Sequence, residues 1–158
     1  MRYLTKEESK QAQEHILVAV EEANKSTCKK SQRGAVIVKN GEIIGRGYNK
    51  VTIEEFCDPC IREHITDNSR VELCSASHAE QLAIIDALKK GKDLEGSRMY
   101  HIKVKDGKIR PSEDVSCTVC SRLVLEVGIS DFVLLQKKGL ALYSAEEFNR
   151  KSFDYFVK

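Results

Sequence analysis

Apolar residues recur at helical spacing near the N-terminus. Ala12, Ile16, Ala19, Val20 and Ala23 form one stripe, which predicts a helix over residues 5–24. Thr5 followed by Glu8 supplies its capping box. The period then changes. Gly34-Ala-Val-Ile-Val38 and the run from Glu42 to Tyr48 flank Asn40-Gly41, and two such runs around Asn-Gly predict a hairpin. Residues 50–76 have no clear period and read as an ordered loop rather than a linker. Residues 78–90 are apolar on much of their surface, which predicts a buried helix closed by Gly91. The run from Met99 to Val104 reads as a strand, Asp106-Gly107 as a turn and the run from Lys108 to Arg110 as the returning strand. A helix over residues 117–127 stops at Gly128. A strand from Asp131 to Leu135, a turn at Lys138-Gly139 and a short strand from Leu140 to Tyr143 follow. Ser144 with Glu147 caps a last helix. The order of elements is that of a layered α/β domain around one sheet, and no internal repeat interrupts it.

Composition narrows the picture. A chain of 158 residues fits one domain spanning 1–158. The net charge of +2 gives no strong field toward nucleic acid or membrane and leaves room for a small anionic substrate. No stretch is apolar enough to span a bilayer. The opening MRYLTKEESKQAQEH has no apolar core of a signal peptide, so a cytoplasmic protein is expected. Thiols stay reduced there, so the six cysteines point to metal binding or catalysis. Any one of them alone is more often a small core residue.

Two motifs carry chemistry. His78-Ala79-Glu80 and Cys117-Thr-Val-Cys120 each start a predicted helix. One imidazole and two thiolates supply three zinc ligands and leave a fourth position for water, the pattern of a catalytic site. Helix N-termini favour thiolates. Glu80 stands two residues past the histidine, near the metal without binding it, where it can move a proton. His-x-Glu followed by Cys-x-x-Cys is the signature of zinc deaminases. Plainer readings compete. Ser77 with Glu80 is also a capping-box pattern. Cys-x-x-Cys also occurs as a redox pair, but the thioredoxin-like βαβ pattern is missing. Cys57-x-x-Cys60 and Cys117-x-x-Cys120 could close one structural zinc site, which would leave His78 and Glu80 unexplained.

These residues resemble the cytidine and deoxycytidylate deaminase superfamily. The likeness runs from about Cys28 to Leu135 and rests on Arg33-Gly-Ala-Val-Ile-Val, Ile44-Gly-Arg-Gly-Tyr-Asn49, Cys74-Ser-Ala-Ser-His-Ala-Glu80-Gln-Leu-Ala-Ile and Ser116-Cys-Thr-Val-Cys120. It implies a three-layer α/β/α fold with a mixed five-stranded sheet. It implies hydrolytic deamination with zinc held by His78, Cys117 and Cys120, water attacking C4 of a cytosine, and Glu80 carrying protons. It further implies that Asn49 contacts the substrate sugar and the backbone of Ala79 the base. The chain is most similar to the deoxycytidylate branch. There cysteines matching Cys28, Cys57, Cys60 and Cys74 imply a second, structural zinc. Relatives assemble as dimers, tetramers or hexamers, which implies a homo-oligomer. The chain departs from the family pattern at Ser116 in place of proline, at Arg33 in place of a small apolar residue, at Lys50, and in an extension from Lys105 to Asp114.

The leading substrate is a free cytosine nucleotide or nucleoside. Lys29, Lys30 and Arg33 are candidates for a phosphate, and Tyr48, Phe56 and Tyr100 for stacking on a base, though such a basic cluster is more often a solvated face and aromatics near strands are more often core. One alternative is a tRNA adenosine deaminase or other nucleobase editor, against which stands the lack of a basic stripe in the sequence. Another is a non-catalytic zinc-binding interaction module, against which stands Glu80.

Overall fold

The computed structural model describes residues 1–67, 69–115 and 117–157. Helix α1 (Lys6–Asn24) starts at Thr5, whose hydroxyl accepts from Glu8 N while the Glu8 carboxylate accepts from Thr5 N. Strands β2 (Gln32–Lys39) and β3 (Glu42–Tyr48) form the expected hairpin. Asn40 and Gly41 both take positive φ, as the favoured two-residue turn requires. After short strands β4 (Lys50–Val51) and β5 (Ala76–Ser77), helix α2 (Ala79–Lys89) leads to β6 (Arg98–Lys105) and β7 (Lys108–Arg110). Helix α3 (Thr118–Glu126), β8 (Asp131–Gln136), β9 (Gly139–Ser144) and α4 (Ala145–Asp154) complete the chain.

The main sheet runs β1 (Arg2–Tyr3), β9, β8, β6, β2, β3, with β7 also paired to β6. Among the described residues only the β6–β8 pair is parallel, so the sheet is mixed as expected. Among the described residues it has seven strands rather than five, because the two-residue β1 joins β9 and the β6–β7 hairpin adds β7. The last turn falls at Lys137-Lys138, one residue before the expected place, and Gly139 opens β9.

Alternation along the strands builds two cores. Val36, Val38, Tyr100, Ile102 and Val104 pack under α1 with Ala12, Ala19 and Ala23. Ala35, Ile37, Met99, Phe132 and Leu134 face the other way, toward α2, α3 and α4. Helices therefore cover both faces, giving three α/β/α layers. Among the described residues, no helix is long and apolar enough to cross a membrane.

Candidate metal centre and its cavity

Both motifs lie at helix starts on the same side of the sheet. His78 is the N-cap of α2 and Cys117 the N-cap of α3. Gln81, not Glu80, closes the α2 N-terminus, with its carbonyl accepting from His78 N at 2.8 Å. Glu80 is thus free of the capping role that its spacing from Ser77 allowed. The helices bring His78 Nδ1 to 3.1 Å from Cys120 Sγ and 3.4 Å from Cys117 Sγ. Among the described residues, this is the one group of three or more metal-ligating side chains whose donor atoms all lie within 4.8 Å of one another. The donor set, one imidazole nitrogen and two thiol sulfurs, suits zinc and leaves a coordination position open. Cys117 and Cys120 therefore converge on His78, not on Cys57 and Cys60.

Protons are shared within the trio. Hydrogen bonds from Cys120 and His78 hold the Cys117 thiol down at about 5, against burial. Cys120 is pushed up by Cys117 and by burial. Burial would lower His78, but the Cys117 and Cys74 thiols outweigh it and raise it to about 10. Glu80, buried beside the trio, stays ionised: burial opposes the charge, but His101 and His78 stabilise it.

His101, which belongs to neither motif, lies with its Nε2 3.7 Å from Glu80 Oε1. It is buried on β6, stacks over Phe132 and leaves Nδ1 without a partner among the described residues. Its signal was strand parity: it alternates with Met99 into the α2 side of the sheet, where an apolar residue is the default.

His78, Cys117, Glu80 and His101 line a cavity of about 150 Å³, with Ala79, Asn49, Lys30, Arg33 and Arg62 among the other lining residues. That volume accepts one ring. The Asn49 amide is used internally, accepting from Arg33 N at 2.7 Å and donating to Ser31 O at 2.9 Å. It fixes the entry to β2 at the cavity wall. Cys28, Cys57, Cys60 and Cys74 line the same cavity but do not gather as the first trio does. Cys57 Sγ lies 3.1 Å from Ser75 Oγ. Of the aromatic candidates, Tyr100 packs on the α1 face against His15, and Tyr48 and Phe56 do not line the cavity. Lys29 is also outside it. Ser116 lies outside the described residues.

A thiol-and-imidazole trio at two helix starts, with a buried carboxylate beside it, is the constellation found in zinc-dependent deaminases. Residues 9–136 match the family model described as the cytidine and deoxycytidylate deaminase zinc-binding region, and the chain belongs to that family. The deoxycytidylate deaminase of Mycobacterium phage D29 is 29% identical over 124 residues, covering 73% of this chain and 87% of that protein. The deoxycytidylate deaminase of Saccharomyces cerevisiae is 29% identical over 119 residues, covering 72% of this chain. The chain spans only 34% of that yeast protein's length. A crystal structure of cytidine deaminase from Burkholderia pseudomallei shares the fold, with a TM-score of 0.55, 20% identity and coverage of 92% and 96% of the two chains.

Proposed function

We propose that this chain, as a single domain over residues 1–158, deaminates a cytosine nucleotide to its uracil form with release of ammonia. His78, Cys117 and Cys120 would hold zinc. Zinc bound there supplies a Lewis acid that makes water nucleophilic near neutral pH. The observation that carries the reading is the convergence of His78, Cys117 and Cys120 beside Glu80, with His78, Cys117 and Glu80 lining one cavity.

Glu80 takes a proton from water, delivers it to the ring nitrogen beside the amine, and then serves the departing ammonia. Ala79, fully buried at the cavity wall, offers its backbone to the base. A nucleotide is favoured over a nucleoside because Lys30, Arg33 and Arg62 line the cavity, while Glu80 is its only lining carboxylate among the described residues. Both curated relatives named above are deoxycytidylate deaminases. The reading extends to a homo-oligomer in the cytoplasm, where six free thiols stay reduced.

Ammonia release over deoxycytidine, its monophosphate, cytidine, cytosine, adenosine and guanine tests the substrate. Glu80→Ala tests the mechanism. It is expected to keep its zinc and lose on the order of 10²–10⁴-fold in kcat. Unchanged turnover on every substrate would remove Glu80 from the chemistry.

A further inference from the structure

The β2–β6–β7 corner carries a row of cations that starts at the cavity and runs beyond it. Arg33 on β2 pairs directly with Lys103 on β6. Lys103 pairs in turn with Arg110 on β7, and Lys105 with Lys108. Directly opposed residues share a face, so five cations lie together on the side of the sheet that holds the metal centre. Arg33 begins the row inside the cavity, and the rest continues onto the hairpin extension.

Like charges opposed across strands are destabilising. Three such pairs sit side by side here: Arg33 with Lys103, Lys103 with Arg110, and Lys105 with Lys108. Among the described residues, none of the five is held in an ion pair. Among the described residues, the Arg33 guanidinium makes one hydrogen bond, from Nε to Ser31 Oγ at 3.3 Å, and the residue lines the cavity. Lys103 is lowered by burial and then by Arg33, Lys105 and Arg110, with Asp114 opposing. Repulsion within the row is therefore a real cost, relieved when an anion lies along it.

We propose that this row binds the phosphate chain of a nucleoside di- or triphosphate, whose ring enters the cavity and whose tail crosses from β2 onto the β6–β7 hairpin. The proposal rests on the nucleotide reading above. From Arg33 to Arg110 the row crosses two strand spacings, about 10 Å, farther than one phosphate bridges. A polyphosphate supplies oxyanions along that distance, and charge-assisted bonds to them are the strong kind.

Calorimetry with inorganic tripolyphosphate and orthophosphate tests this without turnover, so failure of the deaminase reading and failure of the row remain separate. The wild-type protein is expected to bind tripolyphosphate at least about tenfold more tightly than orthophosphate. Lys103→Thr and Arg110→Thr keep residues suited to strands. Each is expected to lose at least about fivefold of the tripolyphosphate affinity. Lys10→Ser, on α1 across the sheet, is expected to lose none. Equal affinities for the two anions, unchanged binding in the threonine variants, or an equal loss in Lys10→Ser overturns the proposal. Tighter binding of single-stranded oligodeoxycytidylate at the same ionic strength, lost in the same variants, also overturns it, in favour of a polynucleotide track.

Discussion

His101 and Glu80 make the response to acid a property of one buried pair. Burial draws the imidazole down to about 4, against the attraction of Glu80, whereas an unfolded chain titrates histidine near 6.5. Between about 4 and 6.5 the unfolded chain binds a proton that the folded one refuses. Stability from this site is therefore complete above about 6.5 and lost as the pH falls toward about 4, by an amount on the order of 3 kcal/mol. Cys117, held down at about 5, loses its own contribution from about 9 downward, so the raw slope mixes the two. His78 is raised to about 10 and adds no slope below 6, where both states carry its proton. Urea unfolding of metal-free wild type and His101→Gln separates the terms. The stability difference between them is expected to shrink as the pH drops from 6.5 to 4.5; a constant difference would mean that His101 does not resist protonation. The trio and Glu80 were legible in the sequence because each motif is local and short. His101 was not, because its contact with Glu80 arises only when β6 is laid beside α2. The capping role of Gln81 was hidden by the equally good spacing of Ser77 and Glu80.

Helix α2 owes its position to two glycines of β3. A Cβ at Gly47 would stand 2.3 Å from Ala83 N and 2.4 Å from Ala79 O; one at Gly45 would stand 2.4 Å from Ala83 O. Backbone atoms that close cannot move aside cheaply, so the Gly-Arg-Gly of the family-like segment reads as a seat for the helix that carries His78 and Glu80. Gly47→Ala is expected to cost about 1–3 kcal/mol or more through overpacking. It is also expected to weaken zinc retention, because pushing the N-terminus of α2 away separates His78 from Cys117 and Cys120. Thermal unfolding with and without metal measures both effects, and a variant as stable as wild type would show that α2 shifts freely. Helical periodicity made α1 legible, a mostly apolar run before Gly91 marked α2, Gly128 bounded α3 and the Ser144–Glu147 capping box marked α4, while β-branched runs gave the long strands and Asn40-Gly41 their turn. The extra strands were less so. Two residues at β1 carry no period, and β4 and β5 are joined only across a 24-residue loop.

The whole molecule has two cores, one on each face of the sheet, and the segment between β4 and β5 belongs to neither. Among the described residues from Thr52 to Ser75, only Cys57 is buried, while Ile53, Phe56 and Ile61 are exposed. A loop of this length without a core of its own needs another source of order. Hydrogen bonds supply part of it: Lys30 Nζ donates to Arg62 O at 2.9 Å and Ile65 O at 2.7 Å, and Arg62 to Ser69 O at 2.7 Å. The four thiols at the cavity wall would supply the rest if Cys28, Cys57, Cys60 and Cys74 turn to a common point and close a tetrahedral zinc site. Such a site would staple the loop at three places to the chain just before β2. On that proposal, metal analysis of protein purified without chelator gives two zinc per chain, and Cys57→Ser with Cys60→Ser gives one. Removing the second ion is expected to expose residues 52–75 to protease before the sheet unfolds, because the two cores do not depend on them. One zinc per wild-type chain, or a loop equally resistant after chelation, would leave the thiols as cavity lining and the hydrogen bonds of Lys30 and Arg62 as the loop's main restraint.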